Sequence, residues 1–101
     1  MTLKPFDEYL FRELQDPDYA AAYLEAALSD SLEEFLVALR KYVQANGGMS
    51  RCAERTHLAR EAIYRMLSEE GNPELRSVDA ILKTHGFRLS IQREVQTANT
   101  A

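Results

Sequence analysis

The chain has 101 residues, a formal net charge of −4 and apolar side chains at 46% of its positions. This length allows one domain with a small core, and 28% charged residues are typical of a soluble protein. Residues 1–10 lack the apolar centre of a signal peptide, and no uncharged stretch is long enough to span a membrane, so we expect a cytoplasmic protein without a membrane partner. A single cysteine, Cys52, excludes an internal disulfide, and its spacing from the two histidines argues against a metal site.

Charge is distributed unevenly along the chain. Residues 1–47 carry 4 Lys/Arg and 9 Asp/Glu, whereas residues 48–101 carry 8 and 7. An acidic half joined to an arginine-bearing half suggests two surfaces with different partners, although uneven charge is also common on ordinary solvated surfaces.

The first thirty residues are expected to form two helices. Pro5 suits the first turn of a helix whose apolar stripe comprises Phe6, Leu10 and Leu14. Pro17 disfavours helical geometry at the residue before it, so this helix should end near Asp16. Asp16 or Asp18 can then cap a second, alanine-rich helix.

The third predicted helix has the clearest pattern. Ser31 and Glu34 form a capping box at its start, and Asn46-Gly47-Gly48 supplies a left-handed stop. Its predicted buried face comprises Leu32, Phe35, Leu36, Leu39 and Val43.

Two short helices meet at residues 56–58, and a longer one follows. Ser50 can cap the first, which turns Cys52 and Ala53 inward. The second short helix should cover about residues 59–68 and end at Gly71-Asn72-Pro73. The longer helix should cover about residues 76–84 and end at His85-Gly86, where a charged histidine suits the helix dipole. Their predicted buried residues are Ile63, Met66, Leu67, Val78, Ile81 and Leu82.

After Gly86 the apolar period changes to two, which is typical of a strand. The alternating apolar residues are Phe87, Leu89 and Ile91. A lone strand needs a partner, which we expect to be a second copy of the chain or the edge of a partner's sheet. The small polar residues 96–101 are expected to be disordered.

The order helix, Gly, short helix, three-residue turn, short helix, loop and helix is the plan of a helix-turn-helix module. Ala53 is small enough for the close helix crossing, and Leu58 can point from the turn into the core. We therefore predict an all-α, helix-turn-helix fold with an N-terminal helical extension and a short C-terminal β-strand.

These residues also resemble a known family. Residues 49–86 are similar to the Cro/C1-type, lambda repressor-like helix-turn-helix, and residues 5–92 resemble the antidote proteins of bacterial addiction modules, the HigA-like antitoxins. The stretches that carry the resemblance are "AREAIYRMLSEEGNP" and "SVDAILKTHGFRLSIQ". Two positions depart from the family pattern: His57 stands at a turn position usually held by Gly, and Ala59 replaces the usual Ser or Thr cap. Both changes are expected to weaken the local helix signals and to alter affinity for DNA or the choice of operator.

The resemblance implies a double-stranded operator DNA interface. The N-terminus of the first short helix would meet a phosphate, and the second helix would read bases in the major groove. The implied DNA-binding residues are Met49, Ser50, Arg51, Ala59, Arg60, Glu61, Tyr64 and Arg65. From the pattern alone, Ser50 can equally be a plain cap, Glu61 and Arg65 an ordinary i,i+4 surface pair, and Tyr64 a cover for the edge of the core.

The resemblance also implies protein partners. A RelE/HigB-like toxin would be neutralised by direct binding, and a homodimer would bind the two half-sites of the antitoxin's own operator. Residues 1–30, with seven acids and two basic residues, are one candidate toxin surface, and the C-terminal strand is the other. The expected division is therefore 1–30 as helical extension, 31–94 as DNA-binding domain with its strand, and 95–101 as tail.

Two other function classes compete with this interpretation. One is a stand-alone phage-type transcriptional repressor, and the other is a helical protein-binding adaptor whose helix-turn-helix is only architecture. An enzyme is not expected, because the sequence offers no nucleophile–base pair, phosphate loop or metal-ligand set; no cofactor, metal or small-molecule substrate is expected either. The sequence does not identify the operator or the toxin.

Overall fold

The computed structural model describes residues 5–68 and 72–95, with side chains from residue 7 onward. Its six helices are α1 (Pro5–Glu13), α2 (Pro17–Asp30), α3 (Leu32–Ala45), α4 (Gly48–Thr56), α5 (Arg60–Met66) and α6 (Leu75–Thr84). The predicted all-α class is confirmed for this part of the chain. Three predictions lie outside the described residues. They are the place of the Phe6 side chain in the apolar stripe, the helix stop at Gly71 and the disorder of residues 96–101.

The helix boundaries follow the predicted local signals. The carboxylate of Asp16 accepts the backbone N–H of Asp18 at 3.0 Å and caps α2, and the hydroxyl of Ser31 accepts the N–H of Glu34 at 3.0 Å and caps α3. At the other end of α3, Asn46 caps the last turn and Gly47 adopts φ 110°, a conformation that favours glycine. The predicted starts of α2 and α3 and the end of α3 are therefore confirmed.

Helix α3 forms the centre of the fold. It packs against α1, α2 and α4, and α4 in turn packs against α5 and α6. The fully buried side chains come from α3, α5, α6 and the residues that directly follow α1 and α5. They are Leu14, Leu39, Val43, Ile63, Leu67 and Ile81. None of the helices in the described segments has both the length and the hydropathy needed to cross a bilayer.

The structure corrects the predicted burial of Leu32, whose side chain is 69% exposed. Leu32 is the first residue of α3, and helical side chains lean toward the N-terminus, so this one projects beyond the end of the helix. Its neighbours along the predicted face behave as expected, because Phe35 and Leu39 are buried and Leu36 is half-buried. Helical periodicity indicates the direction of a side chain but not whether another element covers it.

The predicted C-terminal strand is not formed in the described part of the single chain. Residues 87–95 leave α6 without strand pairing, and only Phe87 packs on the core, where its ring lies 5.5 Å from that of Tyr42. A strand needs the backbone of a second segment, and nothing in the described residues offers one here. Ile91, on the predicted apolar face, is consequently fully exposed.

His85 ends α6 as its C-cap, as predicted, but the expectation that it is charged there is corrected. The imidazole packs edge-on against Tyr42 at 5.0 Å, and its Nε2 is buried without a hydrogen-bond partner in the described structure. Burial, with a smaller contribution from the nearby Arg55, lowers the pKa of His85 from its ordinary value of 6.5. The neutral form therefore fits this position.

This burial predicts a pH dependence of stability. Because the unfolded chain takes up the His85 proton more readily, the stabilisation is complete above pH 6.5 and is lost as the pH falls from 6.5 toward the lower folded pKa. We expect His85→Gln to remove this contribution, so urea denaturation between pH 7.5 and 5.5 should show a shallower loss of unfolding free energy in the variant. Parallel slopes for the two proteins would contradict the buried neutral histidine.

Candidate nucleic-acid interface

A three-residue turn joins α4 to α5. His57 adopts the left-handed conformation with φ 63°, as predicted for the position where the family pattern has Gly. Thr56 holds the turn from the helix side: its hydroxyl donates to the carbonyl of Cys52 at 2.7 Å and accepts the N–H of Leu58 at 3.3 Å. The chain is redirected at this point without Gly or Pro because a hydroxyl and a histidine that tolerates positive φ together end α4.

Two small contacts set α5 against α4. Leu58, in the turn, is half-buried and packs on the core, as predicted. Ala53, on α4, is also half-buried and packs on the core. Ala59, exposed and in extended geometry with ψ 138°, begins α5 without a side-chain cap. Ala59 therefore occupies the N-cap position, where the family pattern has Ser or Thr.

Helix α5 separates one buried face from one exposed face. Ile63, Met66 and the following Leu67 are buried, as predicted. The exposed face carries Ala59, Arg60, Glu61, Tyr64 and Arg65. A helix of this length is marginal by itself, so its orientation depends on the buried face.

A side chain from α3 holds the far end of α5. The Arg40 Nε donates to the carbonyl of Leu67, which lies directly after the helix. A cation near the carboxyl end of a helix is also favourable for the helix dipole. Arg40 therefore links the central helix to α5, although no local pattern in the sequence pointed to this role.

On the exposed face, Arg60 is paired with Tyr64. Its Nη2 donates to the tyrosine hydroxyl at 3.4 Å, and the guanidinium carbon lies 5.3 Å from the ring centroid. The alternative surface pair, Glu61 with Arg65, is not among the ion pairs of the described residues. Tyr64 thus positions an arginine one turn earlier while remaining 48% exposed itself.

The N-terminus of α4 differs from its prediction in the residue that caps it, and the burial of Met49 limits what Met49 can contribute. Gly47, rather than Ser50, is the N-cap, so Ser50 lies inside the first turn and caps nothing. The side chain of Met49 is buried, which leaves only its backbone available to a ligand. Ser50 and Arg51 are exposed, and the stem of Arg51 crosses the face of Gly47 where a Cβ would otherwise stand.

The structure therefore places the predicted DNA residues in two groups. Ala59, Arg60, Glu61, Tyr64 and Arg65 share the exposed side of one helix and its cap. Met49, Ser50 and Arg51 form the first turn of α4, with one of the three side chains in the core. Basic groups on a short rigid helix and unsatisfied amides at a helix start are suited to binding bases and phosphates.

Cys52 lies in the core beside this surface rather than on it. Burial raises the pKa of the Cys52 thiol, so the thiol stays protonated and packs as a small apolar side chain. In residues 5–68 and 72–95, His, Cys, Asp and Glu side chains form no cluster that could hold a metal ion. Arg60, Glu61 and Tyr64 are exposed to solvent, and Arg65 also lines a cavity of about 360 Å³ together with Glu74 and Ser77.

The missing cap of α5 gives a stability prediction. Ala59 has the extended geometry of an N-cap, so a serine here can accept an N–H from the first turn of α5. We expect Ala59→Ser to raise the unfolding free energy by about 1 kcal/mol, measured by urea denaturation. Ala59→Val, which adds bulk without an acceptor, is the control, and an equal gain in both variants would contradict capping.

Comparisons with known proteins concern the chain as a whole. A family model described as probable addiction module antidote protein matches residues 2–93. Neither the curated proteins nor the solved structures include a significant match to the chain.

Proposed function

Because the chain belongs to the family of probable addiction module antidote proteins, we propose that it neutralises a RelE/HigB-like toxin by direct binding and represses its own operon as a DNA-bound dimer. The family match over residues 2–93 carries the antitoxin part of this proposal. The exposed basic face of α5 supports the repressor part. The function is regulatory rather than enzymatic, and its place is the cytoplasm, where operator and toxin meet.

In this proposal α5 is the recognition helix of a lambda repressor-like, Cro/C1-type module. Arg60 and Arg65 are exposed and can each donate two hydrogen bonds to the O6 and N7 of a guanine in the major groove. Glu61 lies between them and can accept a hydrogen bond from a cytosine amino group. Ala59 is small enough to contact a thymine methyl group, and Tyr64 keeps Arg60 in place or meets the sugar-phosphate backbone.

The first turn of α4 supplies the phosphate contact of the proposed interface. Its amides have no side-chain cap, and the helix dipole favours an anion at this end. Ser50 and Arg51 add a hydroxyl and a charge from exposed positions, whereas Met49 contributes only its N–H because its side chain packs in the core. Contacts to phosphates fix the register of the protein on DNA, and α5 supplies the sequence preference.

The toxin surface in this proposal is the N-terminal extension, residues 1–30. Its seven acidic residues against two basic ones complement a basic, RNA-binding toxin. Two partly buried tyrosines on α2, Tyr19 and Tyr23, stack with ring centroids 6.4 Å apart, and Tyr9 on α1 is 53% exposed. Aromatic side chains beside acidic ones are typical anchors of a protein interface.

Growth rescue tests the antitoxin function. The protein encoded by the open reading frame beside this gene is expressed from an inducible promoter, with and without this chain. We expect growth arrest by the neighbour alone, growth when both are present, and a stable complex on size-exclusion chromatography. Tyr9→Asp should weaken rescue, while Lys83→Asp on α6 serves as the control. Growth arrest that this chain does not relieve would leave a stand-alone repressor or an adaptor as the better interpretation.

A further inference from the structure

An apolar groove lies beside the end of α5. It has a volume of about 750 Å³ and is bounded by the end of α2, the start of α3, the residues that follow α5, the start of α6 and Leu89. Several lining leucines are open to solvent, most of all Leu32 at 69% and Leu75 at 71%. Leu28 and Leu89 are exposed in part, so the apolar surface is continuous across four segments of the chain.

The same chain carries an apolar segment without a partner. Residues 90–95 follow the groove-lining Leu89, with Ile91 fully exposed and Val95 85% exposed. At about 3.3 Å per residue, the chain from Leu89 to Val95 can reach roughly 20 Å beyond the groove. The groove and the segment each expose apolar side chains to water. The apolar side chains of one can therefore cover those of the other.

We propose that the groove receives residues 90–95 of a second copy of this chain, so that two copies exchange their C-terminal segments around a two-fold axis. This inference rests on the proposed function as a dimeric repressor and assigns the surface through which the dimer forms. A two-fold arrangement buries both grooves and both segments at once. The two segments can also pair their backbones, which gives the period-two pattern the strand partner that the single chain lacks.

Charge complements the apolar fit. The groove contains one acid, Glu33, and one base, Arg40, and the segment carries the neighbouring pair Arg93 and Glu94. Nη2 of Arg40 is buried without an acceptor among the described residues, although its Nε is bonded to the carbonyl of Leu67. An incoming carboxylate gives this nitrogen an acceptor, and Arg93 matches Glu33.

Position distinguishes a second copy from the toxin as the occupant. Ser68 and Asn72, which follow α5 in the chain, line the groove, so this surface is continuous with the end of the proposed recognition helix. A dimeric repressor must hold two recognition helices about one turn of DNA apart, which requires an interface beside those helices. Leu28, at the end of the extension, borders the groove, but Tyr9, Tyr19 and Tyr23, the aromatic residues proposed to bind the toxin, do not line it.

Single charge insertions test this interface. Leu32→Asp changes the first residue of α3, where an acid suits the helix dipole, and Ile91→Asp changes a fully exposed residue outside the helices. Both variants should therefore fold, which circular dichroism checks. In sedimentation equilibrium we expect the dimer dissociation constant to rise by about tenfold or more in each, and to stay unchanged in Tyr9→Asp. A monomeric wild-type protein, or dimers of unaltered strength in Leu32→Asp and Ile91→Asp, would overturn the proposal.

Cross-linking identifies the occupant. Chains with Leu32→Cys are mixed with differently tagged chains carrying Ile91→Cys, while the buried Cys52 of the unaltered protein serves as the background. A disulfide between the two tagged chains is expected. A disulfide that forms only within a doubly substituted chain, or groove variants that lose the toxin while remaining dimeric, would overturn the proposal. Operator binding by wild type is scored separately: its failure rejects the repressor function, whereas failure of the cross-link with intact operator binding rejects only the interface.

Discussion

Replacing both Arg60 and Arg65 by alanine is expected to weaken binding to the protein's own operator by on the order of 100-fold or more. Each bidentate arginine–guanine contact contributes about 1–3 kcal/mol of discrimination, and both side chains lie exposed on the same short helix. Because the two side chains carry sequence preference as well as charge, affinity for a scrambled duplex should fall much less. Gel shifts or fluorescence anisotropy with both duplexes at one fixed salt concentration measure the two changes.

Arg12→Ala is the matched control for this experiment. It removes one positive charge, half of what the double variant removes, from an exposed position on α1, which packs on α3 rather than on α4 or α5. The control should leave the preference for the operator unchanged. Equal losses in the control and in the double variant would mean that α5 contributes only diffuse positive charge, and the assignment of α5 as the recognition helix would then be wrong.

Replacing Ile63 by alanine is expected to destabilise the protein by about 2–5 kcal/mol, which is a large share of the roughly 5–15 kcal/mol typical of a domain. Ile63 is fully buried and lies at the middle of the buried face that orients α5. Its loss removes apolar contact and leaves a cavity under a helix too short to form by itself. Urea denaturation, with the slope compared between variant and wild type, gives the change directly.

The adjacent residue supplies the control. Tyr64→Ala changes the exposed face of the same helix, so it should cost much less stability while removing the partner of Arg60. A loss below about 1 kcal/mol for Ile63→Ala would contradict the view that packing, rather than local helix propensity, holds α5 in place.

Most helix boundaries could be predicted because the responsible interactions are local. Ser31, Asp16 and the Asn46-Gly47 stop act within three residues of themselves, and the structure has each where the sequence placed it. The buried residues of α5 and α6 were predictable from helical spacing for the same reason. The resemblance to the family pattern, with Gly at position 57 and Ser or Thr at position 59, pointed to the positive φ of His57 and to the uncapped start at Ala59.

The errors have a common physical origin in contacts between distant parts of the chain. Leu32 fits the apolar spacing of α3, but no described element covers the end from which it projects. The packing of His85 depends on Tyr42 from another helix, and the link from Arg40 to Leu67, which the sequence did not indicate, spans 27 positions. Residues 87–95 have the pattern of a strand, and they form none within one chain because a strand is a property of two segments.

The division of the chain into a toxin-binding extension and a DNA-binding domain remains a prediction. The helices of the two parts pack together through α3, since α1 and α2 both contact it. Toxin bound on the extension, as proposed, would contact helices that pack on α3, and α3 holds the end of α5 through Arg40. This packing would connect the proposed toxin surface to the proposed recognition helix.

The most direct test of the whole account is the preference of the unaltered protein for DNA from its own promoter over a scrambled duplex of equal length. At about 0.15 M salt we expect a preference on the order of 1,000-fold, in the range of specific repressors, and an affinity that falls steeply as salt rises. Equal affinity for the two duplexes at every salt concentration would contradict the claim that Arg60 and Arg65 read bases.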